Sequence, residues 1–178
     1  VVAVDEAYVD YGADSCVPLI HSYENIVVIH TMSKSRGLAG LRLGYAMGPA
    51  ALVRDLNKVR NAINPYNVDL LAQKAGIAAV REQEHYRMQA RAIIKVREST
   101  KKALEEQGFQ VLDGKTNFLF TKYPTMGGEA LYLALKRRGI LVRYFSGERT
   151  RAFIRVTIGT AEQMAEFLSA VREITGGL

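Results

Sequence analysis

The sequence predicts an α/β protein: part of a mostly parallel sheet with its helices, followed by a small α+β domain. Three observations carry this. Two continuous apolar runs, Val1-Val2-Ala3-Val4 and Ile26-Val27-Val28-Ile29, read as fully buried parallel strands. Residues 5–25 lie between them, enough for the crossover of about a dozen or more residues that parallel neighbours need. Beyond residue 108 the pattern changes to short strands set around single helices.

The elements follow in order. After the second apolar run comes a segment of small residues, 31–40, and a third strand is predicted around residues 43–47. Pro49 marks the start of a helix whose apolar stripe is Leu52, Val53, Leu56 and Val59. Asn64-Pro65 breaks it. A second helix is predicted over about 68–80, and a longer one over about 82–107 that stops at Gly108. Short strands are predicted at 109–112, 117–122, 140–144 and 153–158, with a helix over 129–138 closed by Gly139. Thr160 and Gln163 form a capping box for a last helix, with Met164, Phe167, Leu168, Val171 and Ile174 on its inner face. Residues 1–81 are thus expected to belong to one domain, and 82–178 to a connector helix and a second, smaller one. An apolar strand at the very start, with no initiating methionine, suggests the downstream part of a longer polypeptide.

At 48% hydrophobic and 24% charged residues, the composition is that of a globular protein. No run approaches the ~20 apolar residues of a membrane span, and no secretory leader is visible. The single cysteine, Cys16, precludes an internal disulfide and suits the reducing cytoplasm. The net charge of +6 raises the alternative of a non-catalytic domain that binds nucleic acid or another polyanion. Most bases, however, are interleaved with acids, as in Arg97-Glu98, the pattern of a solvated helix face. The exception is residues 136–155, with seven basic residues and one acid. No Cys/His/Asp spacing suggests a metal site.

Both apolar strands end in polar residues, where open α/β sheets place ligands. The first ends in Asp5-Glu6-Ala7-Tyr8 and the second in Thr31-Met32-Ser33-Lys34, with Arg42 eight positions beyond the lysine. By themselves Asp5 and Lys34 also read as an ion pair between strand ends. His30 lies either near this site or simply packed at the strand end. In the second half, Arg143 ends one predicted strand and Arg155 sits inside another, between Ile154 and Val156. An arginine so flanked should not be buried without an anionic partner.

The succession Asp-Glu-Ala-Tyr, Thr-x-Ser-Lys and Gly-Leu-Ala-Gly-Leu-Arg resembles the signature of the class I/II aminotransferases, pyridoxal-phosphate enzymes of fold type I. The resemblance runs through the whole chain in order. Within the class, Tyr66-Asn67-Val68 after Pro65, the strand ending in Arg143, and the run from Ile154 through Arg155 to Thr160 are most similar to the histidinol-phosphate aminotransferases. The resemblance implies the C-terminal part of the large domain of such an enzyme, followed by its small domain.

It also implies roles. Lys34 is the lysine that condenses with the cofactor aldehyde and later shuttles protons. Asp5 faces the pyridine nitrogen and keeps it protonated, since an opposite charge favours the charged form. Tyr8 hydrogen-bonds the ring oxygen. Ser33 and Arg42 hold the cofactor phosphate, Thr31 adds a hydroxyl or shapes the turn, and Gly37 and Gly40 permit the tight path between them. Arg143 and Arg155 take the anion of a phosphorylated amino substrate, with a 2-oxo acid as the second substrate. The intact enzyme would be a cytoplasmic homodimer of histidine biosynthesis that binds neither nucleic acid nor membrane. Other cofactor contacts, including one from the neighbouring subunit, would lie upstream of Val1. A threonine-phosphate decarboxylase and an aromatic aminotransferase share Asp5, Tyr8, Lys34 and Arg42 and stay open as alternatives, as does an inactive fragment.

Overall fold

The structure, a computed structural model, describes residues 1–176. The chain divides into two compact units, Val1–Ala90 and Arg91–Leu178.

The first unit is built on a three-stranded sheet in the order β1-β2-β3: β1 (Val2–Asp5), β2 (Ile26–Thr31) and β3 (Gly44–Met47). β1 and β2 run parallel, with Val2 opposite Ile26 and Asp5 opposite Ile29. The crossover between them holds two short 3-10 turns, Val9–Tyr11 and Val17–His21. β3 returns antiparallel to β2, pairing Gly44 with Thr31 and Tyr45 with His30, because the loop after Lys34 doubles back on itself. The first strand is parallel as expected, but it is not fully buried: Val2 is 51% exposed. The reason lies in its position. Among the described residues β1 pairs on one side only, with β2, and even Ile29 of the central strand is 41% exposed. Val27 and Val28 of the central strand are the buried ones.

Helix α1 (Ala50–Ile63) begins after Pro49. Its expected stripe splits. Leu52 and Val53 are half-buried, whereas Leu56 and Val59 are exposed, since no described element covers the later turns. Helix α2 (Leu70–Arg81) is capped by Asp69, whose carboxylate accepts the Ala72 N–H at 2.8 Å. It buries Ala72, Gly76 and Ala79, small residues that allow close approach. Helix α3 (Gln83–Glu106) spans both units and ends where Gly108 takes a left-handed conformation.

The second unit holds a four-stranded antiparallel sheet in the order β4-β5-β7-β6: β4 (Gln110–Val111), β5 (Phe118–Lys122), β6 (Arg143–Tyr144) and β7 (Ile154–Thr157). Helices α4 (Gly128–Arg137) and α5 (Ala161–Thr175) belong to the same unit. Its core contains Leu104, Leu131, Leu135, Ile154, Phe167 and Val171, all fully buried. Each such side chain contributes on the order of 1.5–3 kcal/mol through removal from water. The capping box of Thr160 and Gln163 forms in both directions. Met164, Phe167 and Val171 are buried as the stripe requires, with Leu168 and Ile174 packed at its margin.

Candidate active site

The polar ends of β1 and β2 lie side by side because the two strands are parallel neighbours. At the end of β1 the chain turns, and the Asp5 carboxylate accepts the Ala7 N–H at 2.9 Å. That bond fixes the direction of an exposed acid. Tyr8 follows at the entry to the first 3-10 turn. Its ring lies beneath the ammonium of Lys34, with Nζ 5.1 Å from the ring centroid, the range of a cation–π contact. No ion pair links Asp5 and Lys34 among the described residues, so the simple strand-end salt bridge is not what the fold makes. Nearby, Ser35 donates its hydroxyl to Asp10, which ties the lysine loop to the turn that carries Tyr8.

Thr31 has a definite part. Its Oγ1 accepts the backbone N–H of Ser33 at 3.1 Å and donates to Ser33 Oγ at 2.9 Å. It therefore shapes the turn and orients the neighbouring hydroxyl. The loop then closes through Gly37 N–H to Lys34 O and Leu38 N–H to Met32 O. Gly37 is left-handed at φ 66°, which suits a residue without Cβ, whereas Gly40 needs no such freedom. Arg42 is the one non-glycine residue with positive φ, 52°, among the described residues. A left-handed arginine costs on the order of 1–2 kcal/mol, and such local strain gathers at functional positions. Its guanidinium is exposed and donates to the Ala39 carbonyl at 2.8 Å, leaving further N–H groups for an anion.

Behind this face lies a network that the sequence did not single out. Glu6, only 8% exposed, accepts hydrogen bonds from Ser15 Oγ at 2.8 Å, from the Cys16 N–H, and from His30 Nε2 at 2.8 Å. Burial alone would raise its pKa; the hydrogen bonds of Cys16, Ser15 and His30, with the histidine's charge, outweigh it and hold the carboxyl below its ordinary value. The signal available in the sequence was the position of Glu6 and His30, each one residue before or after a predicted site residue.

In the second unit Arg143 and Arg155 stand directly opposite each other across β6 and β7, and Phe120 flanks Arg155 on β5. Strand alternation sends Ile154 and Val156 into the core and Arg155 to the other face. There its guanidinium carbon lies 5.2 Å from the Phe118 ring centroid and 5.6 Å from that of Phe145. Arg143 sits 5.5 Å from the same Phe145 ring. Two like charges placed opposite each other repel, and Arg155 Nε is buried without a hydrogen-bond partner. Together these make a cationic, aromatic-walled patch suited to an anion. Arg137, Arg138, Arg149 and Arg151 are exposed. Among the described residues no group of three or more His, Cys, Asp or Glu could hold a metal ion, and no helix is long and apolar enough to cross a membrane.

Lys34 and Tyr8 thus meet where β1 and β2 end on an α/β fold, with Asp5 closing β1 and Arg42 in the loop that leads to β3. The family described as Aminotransferase class I and II matches residues 1–171, and the chain belongs to it. It is 44% identical over 176 residues to a histidinol-phosphate aminotransferase of Marinomonas sp., covering 98% of this chain and 50% of that protein. A crystal structure of the histidinol-phosphate aminotransferase from Clostridium acetobutylicum superposes with a TM-score of 0.87 at 26% identity, over 99% of this chain and 54% of that one. The corresponding enzyme of Sinorhizobium meliloti, solved in complex with pyridoxal-5'-phosphate, shares the fold at a TM-score of 0.80 and 23% identity, over 97% and 48% of the two chains. The chain spans about half the length of the curated relatives it matches.

Proposed function

We propose that the polypeptide carrying this chain is a pyridoxal-phosphate-dependent aminotransferase. It moves an amino group between histidinol phosphate and 2-oxoglutarate, giving imidazole acetol phosphate and glutamate, a step of histidine biosynthesis. The observation that carries the reading is Lys34, an amine held over the Tyr8 ring at the paired ends of β1 and β2, with no carboxylate partner among the described residues. Similarity to histidinol-phosphate aminotransferases supports the choice of substrate.

The donor set fits the cofactor group by group. Lys34 offers a primary amine for the aldehyde, Asp5 an anion for the ring nitrogen, and Tyr8 a phenol for the ring oxygen. Ser33, oriented by Thr31, and Arg42 offer a hydroxyl and a planar fork for the phosphate. When bound, pyridoxal phosphate supplies a sink for the electrons of the substrate's α C–H bond. Asp5 holds a proton on the ring nitrogen by its charge. Lys34 Nζ would take and return the α proton. Arg143 and Arg155 take the substrate's remote phosphate.

In this reading residues 1–81 are part of the cofactor-binding domain, and 82–178 are the connector helix and small domain. The protein works in the cytoplasm as a homodimer. The test is chemical. Borohydride reduction of the protein loaded with pyridoxal phosphate, followed by peptide mapping, places the label on Lys34. A label on another lysine, or no visible absorbance at all, ends the assignment.

A further inference from the structure

Three side chains cross the sheet of the first unit behind the candidate site. Glu6 at the end of β1 accepts from His30 Nε2 of β2 at 2.8 Å. The other ring nitrogen of His30, Nδ1, lies 3.1 Å from the Tyr45 hydroxyl of β3. Because Nε2–H donates to the carboxylate, the neutral ring has Nδ1 free to accept from Tyr45, and a charged ring donates there instead. Every link joins different strands. Each member is also placed next to a site residue: Glu6 follows Asp5, His30 precedes Thr31, and Tyr45 lies three positions after Arg42.

We propose that Glu6, His30 and Tyr45 are positioning residues: a hydrogen-bonded chain that sets the ends of the three strands, and with them Asp5, the loop from Thr31 to Lys34, and Arg42, in the register the reaction needs. The inference rests on the proposed function and goes beyond it, since none of the three would touch the cofactor. A buried carboxylate is not the stable choice for holding a sheet together; an apolar residue of similar size costs less to bury. What it adds is direction. Three donors from two stretches of chain converge on Glu6, Ser15 and Cys16 from the crossover and His30 from β2, so the strand end cannot rotate without losing several bonds at once. Side chains alternate across a strand, so a residue that fixes one face fixes the aim of its neighbour on the other. The Tyr45 ring also lies 5.2 Å from that of His30, so Tyr45→Phe keeps the ring contact and removes only the hydroxyl link.

The experiment compares Glu6→Gln, His30→Gln and Tyr45→Phe with wild type in the polypeptide that carries this chain, loaded with pyridoxal phosphate. The readouts are thermal midpoint, cofactor affinity by absorbance titration, the visible absorbance maximum, and kcat and KM for histidinol phosphate well below the melting range. Misplacement of reacting groups by a fraction of an ångström lowers turnover, so kcat falls about tenfold in Glu6→Gln and His30→Gln and about threefold in Tyr45→Phe. KM stays within about twofold, and the absorbance maximum of the bound cofactor moves. The double variant Glu6→Gln/His30→Gln is no worse than its weaker parent, because the links act as a unit. Lowered thermal midpoints with wild-type kcat and spectrum overturn the inference and leave a merely structural brace. If the buried variants fail to fold, Tyr45→Phe decides, and wild-type behaviour there overturns it. A wild-type protein that takes up no pyridoxal phosphate overturns the functional reading and this inference together.

Discussion

Arg143 and Arg155 face each other across the β6–β7 ladder, and both guanidinium groups lie within 6 Å of the Phe145 ring. A pair of like charges in that register weakens the sheet unless an anion joins them. The arrangement has a direct consequence for substrate binding. On the proposed function, replacing either arginine by alanine would remove one charge-assisted contact to the substrate phosphate, at a cost of about 2–5 kcal/mol. We therefore expect kcat/KM for histidinol phosphate to fall steeply in Arg143→Ala and Arg155→Ala, with glutamate losing less at Arg143. Pyridoxal-phosphate content, measured by absorbance, stays at the wild-type level. Loss of cofactor from Arg143→Ala would show that the two anion sites have been interchanged.

Asp5→Asn isolates charge from geometry. Asparagine keeps an oxygen that accepts the Ala7 N–H, so the turn and the thermal midpoint are expected to survive. On the proposed function the ring nitrogen would lose its counter-ion, and turnover is expected to fall by about two orders of magnitude or more. Near-normal turnover in steady-state assays would remove Asp5 from its role.

Glu6 predicts a pH dependence of stability. Its carboxyl is held below the ordinary 4.5 because the bonds from Cys16, Ser15 and His30 outweigh the opposing effect of burial. A carboxyl depressed on folding stabilises the protein above its ordinary pKa. That contribution is lost as pH falls from 4.5 through the depressed value. Chemical denaturation between pH 7 and pH 3 is expected to show a shallower acid limb for Glu6→Gln than for wild type. Parallel limbs would contradict the assignment.

Gly128 begins α4 where a Cβ would sit 2.7 Å from the Phe153 carbonyl and 2.8 Å from that of Arg151. Backbone atoms cannot yield as a side-chain tip does. Gly128→Ala should therefore destabilise the second unit by on the order of 1–3 kcal/mol, as overpacking does. It should also shift the strand that carries Arg155, so KM for histidinol phosphate rises while cofactor affinity holds. An unchanged urea midpoint would refute the clash.

Much of this protein was determined by the sequence alone, because the interactions concerned are local. The capping box at Thr160 and Gln163, the stop of α3 at Gly108 and the stripe of α5 all follow from spacing within a few residues. Other features waited on tertiary structure, because they depend on register between segments far apart in the chain. The exposure of β1, like that of Leu56 and Val59, follows from what the described elements leave uncovered. The opposition of Arg143 and Arg155, the meeting of Lys34 with Tyr8 and the chain from Glu6 through His30 to Tyr45 are likewise products of pairing. Periodicity tells which face a side chain takes; only the folded sheet decides which residue it meets there.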